Sequence, residues 1–244
     1  APVRRKVLRN APAHSTVCIS LWGLQFKFPE HELSRDVLAA VAIYIETEKE
    51  LKNYEGMEHK KMKQNREQIR ISIRKQGFAV RSLLLACFNL MEAYLNGLAW
   101  DFVQVQGTVG LSNREKSLLV DSTSVSIRDK LKKYPKTITG RELWQPQDSE
   151  VDEFLNRIKP FRDSLVHPSP FSTPVKFGGH DKLRLFYRID HEVALMTVRL
   201  LVSLIRKIHI HVFQDRQGLP QWLEEIDFKI KNLQAENENG VGPR

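Results

Sequence analysis

The chain has only two cysteines among its 244 residues, Cys18 and Cys87, and they stand far apart outside any CxxC pair. A disulfide framework or a cysteine zinc site is therefore not expected, and both residues are predicted to be buried, apolar and reduced. No run approaches the roughly 18–20 apolar residues of a membrane span. The most apolar stretch, 193–212, is interrupted by charged residues, which predicts a buried helix of a soluble, cytoplasmic protein. The basic residues near the N-terminus precede no uninterrupted apolar region, so no secretory signal is expected.

The sequence also lacks the residue patterns of several kinds of catalytic site. His209 and His211 are two positions apart and face away from each other on a helix, and no acidic or histidine cluster has metal-ligand spacing. Ser164 is not in a nucleophile-elbow context, and Gly178-Gly179-His180 is typical of a turn rather than of a phosphate loop. Metal catalysis is therefore disfavoured, and no cofactor is expected.

Positive charge is abundant. The sequence has 38 Lys and Arg against 29 Asp and Glu, a formal net charge of +9, which favours polyanionic partners such as nucleic acid. The charge is clustered in two places: His59, Lys60, Lys61, Lys63, Arg66, Arg70, Arg74, Lys75 and Arg81, and then Arg128, Lys130, Lys132, Lys133 and Lys136. We predict RNA contacts for Lys60, Lys61, Arg66, Arg70, Arg74, Lys132 and Lys133. Ordinary solvated helix faces, or a surface for an acidic protein, would have the same composition.

Helical periodicity dominates the chain and predicts a mainly α fold, an antiparallel helical bundle with a small β-hairpin decoration. Ser34 is predicted to cap a first helix that ends near Gly56, and residues 57–107 to form a long helical stretch broken or bent at Gly77. Further helices are predicted after the Ser112/Glu115 capping box and over 125–134, 149–166 with a kink at Pro160, 191–213 after an Asp190 cap, and 220–233. Strand pairs are predicted within 16–28 and between 175–177 and 183–189. Residues 1–14 and the polar C-terminal tail are expected to be flexible.

One short segment, 162–168 (RDSLVHP), stands out. An arginine followed five positions later by a histidine occurs three times, at Arg9, Arg162 and Arg206, so the spacing alone is weak evidence. The first pair lies in the expected flexible start, and five residues of continuous helix would turn Arg206 and its histidine about 140° apart. At His167 the following Pro168 should instead end the helix. Arg162 can then project from the last turn with His167 beside it, as binding one phosphate group requires.

With this motif the sequence resembles the HEPN family of all-helical nucleases and nucleotide-binding proteins, whose signature is an arginine, a polar residue, a few further residues and a histidine. The resemblance extends over residues 78–215 and includes an earlier core helix on which Asn89, Glu92 and Asn96 form a polar stripe. Residues 1–77 are then expected to be an N-terminal extension, and 216–244 a C-terminal helix and tail. A buried carboxylate needs a partner, which predicts that Glu92 pairs with Arg162 or His167, unless it lies at the solvent edge.

The resemblance implies a metal-independent endoribonuclease, a toxin or antiviral (abortive-infection) effector that is held in check by an inhibitory antitoxin or sensor protein. His167 would transfer a proton and Arg162 would orient and stabilise the phosphate. Asp163 or Glu92 would orient one of them, and Asn96 would contact the RNA. In the family the site lies at a homodimer interface, so two motifs would supply acid and base. A non-catalytic binding module and a helical dimerisation scaffold remain open as alternatives.

Overall fold

A computed structural model of the chain describes residues 16–20, 23–121, 124–214 and 218–239, with backbone only for 16–27 and 234–239. The described part is mainly helical. Its helices are α1 (Pro29–Lys52), α2 (His59–Gln64), α3 (Arg66–Gln106), α4 (Asn113–Val120), α5 (Ile127–Thr139), α6 (Ser149–Glu153), α7 (Lys159–Val166), α8 (Lys182–Tyr187), α9 (His191–Phe213) and α10 (Gln221–Asn239). A π-helical turn, Phe154–Ile158, joins α6 to α7, and Val175–Phe177 form a 3₁₀ turn.

The helix α3 is the centre of the fold. Its 41 residues span about 60 Å at 1.5 Å per residue. The helices α1, α4, α5 and α9 pack around it, and α10 packs on α1 and α9. By length and composition α3 is apolar enough to cross a membrane, but 61% of its most apolar window is buried inside the fold. Such burial is typical of the core helix of a soluble protein.

The predicted break at Gly77 is wrong, because α3 runs through that position without interruption. The interruption lies instead at Asn65, between α2 and α3. Packing against α1 continues before Gly77: Ser72 is fully buried, and its hydroxyl donates to Glu50 Oε2 at 2.6 Å. Tertiary contacts thus outweigh the low helix propensity of one glycine. The domain boundary expected between residues 77 and 78 consequently falls inside one continuous helix.

Other helix ends differ from the prediction for local reasons. The first helix begins at Pro29 rather than at Ser34, since a proline is favoured in the first turn, and Ser34 is a buried residue inside it. The helix α5 continues past residue 134 through Pro135. A proline inside a helix frees the carbonyl four residues earlier. Here that carbonyl belongs to Leu131 and accepts a hydrogen bond from Trp144 Nε1 at 2.8 Å. The freed group is therefore satisfied.

Capping predictions are confirmed at two helices. Ser112 and Glu115 form the expected capping box at α4. Asp190 accepts from the backbone N–H of Val193 at 3.0 Å and caps α9, which has the predicted bounds 191–213. The last helix extends to Asn239, beyond the predicted end at 233. The flexible tails were predicted for residues that lie partly outside the described part of the chain.

The predicted β-hairpin decoration is not supported. Residues 175–177 form the 3₁₀ turn, and 182–187 form α8, which is capped by the Asp181 side chain on the backbone N–H of Arg184. The other predicted hairpin, over 16–28, falls on residues whose side chains lie outside the described part. Only an antiparallel backbone pairing of β1 (Thr16–Ser20) with β2 (Gly23–Lys27) is described there. Cys18 lies in that segment, whereas Cys87 is confirmed as a buried free thiol.

Candidate nucleic-acid cleft

The helix that carries the Arg162–His167 motif has two halves joined by the π turn. In this turn the backbone N–H of Lys159 donates to the carbonyl of Phe154, five residues earlier. Pro160 follows directly and has no N–H of its own, so the wider turn accommodates the residue expected to kink the helix. The first half is anchored to α9, because Lys207 Nζ lies 3.0 Å from Asp148 and 2.8 Å from Glu150.

The second half ends as predicted at His167. The last helical residue is Val166, and the backbone N–H of His167 donates to the Asp163 carbonyl at 2.9 Å. The backbone of His167 leaves the helical region (φ −129°, ψ 63°), which the following Pro168 disfavours. Its side chain is exposed and makes no hydrogen bond to the part of the chain that the structure describes.

Arg162 and Asp163 form an ionic cluster at the base of the motif. Arg162 Nη1 lies 3.0 Å from Asp163 Oδ1, and Lys159 Nζ bonds the other carboxylate oxygen. The Arg162 guanidinium also lies over the ring of Phe88 on α3, 5.8 Å from its centroid. One acidic group thus serves two cations, which leaves this cluster with a net positive charge.

A cleft of about 1630 Å³ contains Arg162, Asp163 and His167 together. One wall is formed by the π turn, α7 and the start of α5. The opposite wall is formed by the connection from 173 to 190 and the start of α9. The cationic residues that line the whole cleft are Arg128, Arg157, Lys159, Arg162, Lys176, Lys182 and Arg188, and the acidic ones are Asp163, Asp190 and Glu192. This excess of cations makes the cleft a suitable place for phosphate groups.

The connection opposite α7 is held in a closed loop. The backbone N–H of Thr173 donates to the His180 carbonyl at 2.8 Å, and Thr173 Oγ1 lies 3.1 Å from His180 Nε2. Gly178 and Gly179 have φ of 109° and 61°, which lie in the region that favours glycine. The loop carries exposed Phe177 into the cleft lining, and Tyr187 of α8 lines it as well. Exposed aromatic rings between cations suit nucleobase stacking.

His180 is half-buried in this loop. Burial lowers the pKa of its imidazole below the ordinary value, opposed by the nearby charge of Asp163 and assisted by Lys182 and Lys159. The sequence analysis treated Gly178-Gly179-His180 only as a turn and missed this residue. Arg157, Lys159, Lys176, Lys182 and Arg188 were missed too. The recurrence of basic residues through 157–188 was the available signal.

Glu92 does not pair with Arg162 or His167. Its Oε1 accepts from Nζ of Lys130 on α5 at 2.5 Å, and the Lys130 side chain is fully buried while Glu92 is 40% exposed. The hydroxyl of Tyr134 is buried nearby: burial and then the charge of Glu92 raise the pKa of Tyr134 to about 12. Asn96, expected to contact RNA, has a buried Oδ1 without a partner in the described residues. Glu92 therefore faces α5, and neither Glu92 nor Asn96 lines the cleft.

The two basic clusters of the sequence differ in whether their cations are paired with acidic residues or exposed. In the second, four lysines have acidic partners: Lys130 with Glu92, Lys132 with Asp152, Lys133 with Asp129 and Lys136 with Glu142. Only Arg128 of that cluster lines the cleft. In the first, Lys60, Lys61, Arg66, Arg70 and Arg74 are exposed on α2 and α3 but do not line the cleft.

The other Arg–His pair on a described helix behaves as expected from its spacing. Arg206 bonds Asp227 on α10 at 2.6 Å, whereas His211 Nε2 lies 2.9 Å from Thr139 Oγ1 on α5. The two side chains thus point to different neighbours. Arg9–His14 lies outside the described residues. Among the residues that the structure describes, no group of three or more His, Cys, Asp or Glu side chains is arranged to hold a metal ion.

Comparison with known proteins gives no relative, since no family model, curated protein or solved structure matches the chain.

Proposed function

We propose that the chain is a metal-independent endoribonuclease of the HEPN type and that RNA is cleaved in the basic cleft. The observation that carries this proposal is the presence of Arg162 and His167 in one cleft with an excess of cations. Their spacing occurs elsewhere in the chain, but the described alternative pair binds two separate neighbouring helices. The exposed aromatic residues Phe177 and Tyr187 add surfaces on which bases can stack.

The chemistry requires only groups that the cleft and the RNA supply. The 2′-hydroxyl is the nucleophile, and the phosphorus–5′-oxygen bond is the one that breaks. Arg162 presents a planar donor fork to the phosphate oxygens, although Asp163 engages part of it before substrate binds. The exposed His167 supplies proton transfer. Asp163 is a positioning residue that holds Arg162 and Lys159.

The biological setting that we propose follows the family resemblance. The protein would be a cytoplasmic toxin or antiviral effector, active as a homodimer and restrained by an inhibitory antitoxin or sensor protein. The exposed cations of α2 and early α3 provide a surface for an acidic inhibitor or for RNA outside the cleft.

The test is incubation of purified protein with total RNA in the presence of EDTA. Wild type should cleave and leave 2′,3′-cyclic phosphate and 5′-hydroxyl ends. Arg162→Ala and His167→Ala should each lose at least about 100-fold in rate. The matched controls are Arg206→Ala and His211→Ala, whose residues have the same spacing outside the cleft. Absence of cleavage by wild type, or equal loss in both pairs, would refute the proposal.

A non-catalytic RNA-binding module is the second candidate. It is favoured by the partial occupation of the Arg162 fork by Asp163 and by the exposed aromatic side chains, which need no proton transfer to bind bases. In that case RNA would bind without being cut. The affinity would fall with rising salt and would be unchanged in His167→Ala.

A further inference from the structure

The His180 side chain has a defined orientation in the cleft. Its Nε2 is occupied by the hydroxyl of Thr173, and the main-chain bond between the same two residues fixes the base of the side chain. Its Nδ1 makes no hydrogen bond to the part of the chain that the structure describes. Gly178 lies beside this nitrogen: a Cβ at that position would be 3.5 Å from Nδ1, in ordinary van der Waals contact.

The surroundings of His180 favour a neutral imidazole with an available lone pair. The charged groups that act on it are Asp163 and Lys159 from α7 and Lys182 from α8, and burial is the largest influence on its pKa, which it lowers. The lowered pKa favours the unprotonated form of His180. In the tautomer that carries the ring proton on Nε2, this proton is donated to Thr173 Oγ1 and the lone pair of Nδ1 can accept another.

We propose that His180 is the second proton-transfer residue of the ribonuclease site, accepting the 2′-hydroxyl proton at Nδ1 while His167 protonates the leaving 5′-oxygen. This inference rests on the proposed ribonuclease function. The atoms balance without a further reactant: the 2′-oxygen bonds to phosphorus, the phosphorus–5′-oxygen bond breaks, one proton goes to His180 and one leaves His167. The starting protonation states of the two histidines are restored in one of two ways. Water can hydrolyse the cyclic phosphate with the two histidines in reversed roles, or both histidines can exchange protons with solvent.

This assignment places acid and base in one chain. Both histidines line the same cleft, and both follow the Arg162–Asp163 cluster in sequence. The family resemblance instead implies that the second proton-transfer group comes from a partner's motif. Each chain of the proposed homodimer would then hold its own acid and base.

The chain offers a matched control for His180. His211 is also partly buried, its Nε2 also contacts a threonine hydroxyl, and burial also lowers its pKa, but it lies outside the cleft. His180→Gln should reduce the cleavage rate by about 10²–10⁴-fold, as expected for loss of a general base. His211→Gln should stay near the wild-type rate. Thermal unfolding of both variants checks whether each is folded.

A modified substrate separates base from acid. An RNA with sulfur in place of the bridging 5′-oxygen has a better leaving group and no longer needs the acid. It should restore cleavage by His167→Ala but not by His180→Gln. Added imidazole should partly rescue His180→Ala, which a purely structural role would not allow.

The outcomes distinguish the two proposals. If wild type cleaves RNA but His180→Gln behaves like His211→Gln, or recovers on the thio-substituted RNA, the role of His180 is refuted and the ribonuclease proposal stands. If wild type does not cleave, the ribonuclease proposal fails and the assignment of His180 fails with it.

Discussion

The buried ion pair between Lys130 and Glu92 gives the sharpest stability prediction. Lys130 is wholly buried, whereas 40% of the Glu92 side chain is exposed. Glu92→Gln keeps the shape of the side chain but removes the charge that balances the buried ammonium. Breaking a buried pair in this way costs about 3–5 kcal/mol, and the lower value applies because Glu92 is partly hydrated. We therefore expect a loss of about 3 kcal/mol in the free energy of unfolding.

Lys130→Met should be much less harmful. It replaces the buried ammonium with an apolar side chain of similar length and leaves a carboxylate that water can reach, so the expected cost is under about 1 kcal/mol. The double variant should resemble Lys130→Met alone, with a coupling energy of about 2–3 kcal/mol between the two positions.

Urea unfolding, followed by circular dichroism, measures the free energy of unfolding of wild type, the two single variants and the double variant. For a chain of this length, 1 kcal/mol corresponds to roughly 2–4 °C in Tm, so Glu92→Gln should melt about 6–12 °C below wild type. The reasoning would be refuted if Lys130→Met were as destabilising as Glu92→Gln, or if the two effects were additive.

Three further predictions concern single residues. Hydrogen bonds from the backbone N–H of Gln145 and, as the second cause, from Lys207 hold the pKa of Asp148 below its usual value. Asp148 therefore stabilises the fold above about pH 4. Asp148→Asn should therefore lower the Tm at pH 7, with the difference from wild type vanishing as the pH falls below 4. His209→Ala should cost about 3 kcal/mol in urea unfolding, because it leaves Tyr94 and the Gly218 carbonyl without this partner; an unchanged midpoint would contradict this. Gly178 has a φ of 109°, so Gly178→Ala should lower the free energy of unfolding by about 1–2 kcal/mol and weaken RNA binding. The control Gly218→Ala, whose added Cβ meets open space, should have neither effect.

Features set by neighbouring residues could be predicted from the sequence. The bounds of α9, the capping box at Ser112 and the helix end at His167 all depend on local periodicity, on side chains three residues away or on a following proline. The fold class could be predicted for the same reason. The segment 182–187 was misassigned because its alternation of apolar and basic residues fits a strand as well as a helix, and the Asp181 cap decides between them.

Features set by distant residues could not be predicted. The partner of Glu92 depends on how α5 docks on α3, since Lys130 lies 38 positions away. The other lysines of the second basic cluster pair elsewhere, with Asp152 of α6, Asp129 of α5 itself and Glu142 after it. His180 enters the cleft only because Thr173 closes the loop around two glycines. Arg162 and His167 could be singled out because their geometry arises within one helix end, whereas the loop opposite them is fixed by tertiary contacts.

The π turn at Phe154–Ile158 makes the orientation of the cleft depend on chain length as well as on composition. Such a turn is equivalent to an α-helix that has taken in one extra residue. Removing one residue from it would rotate α7 by about 100° relative to α6. While Lys207 holds α6 in place, that rotation would turn Arg162 away from the cleft. A related sequence could therefore lose or regain the site by a single deletion or insertion, with every charged residue conserved.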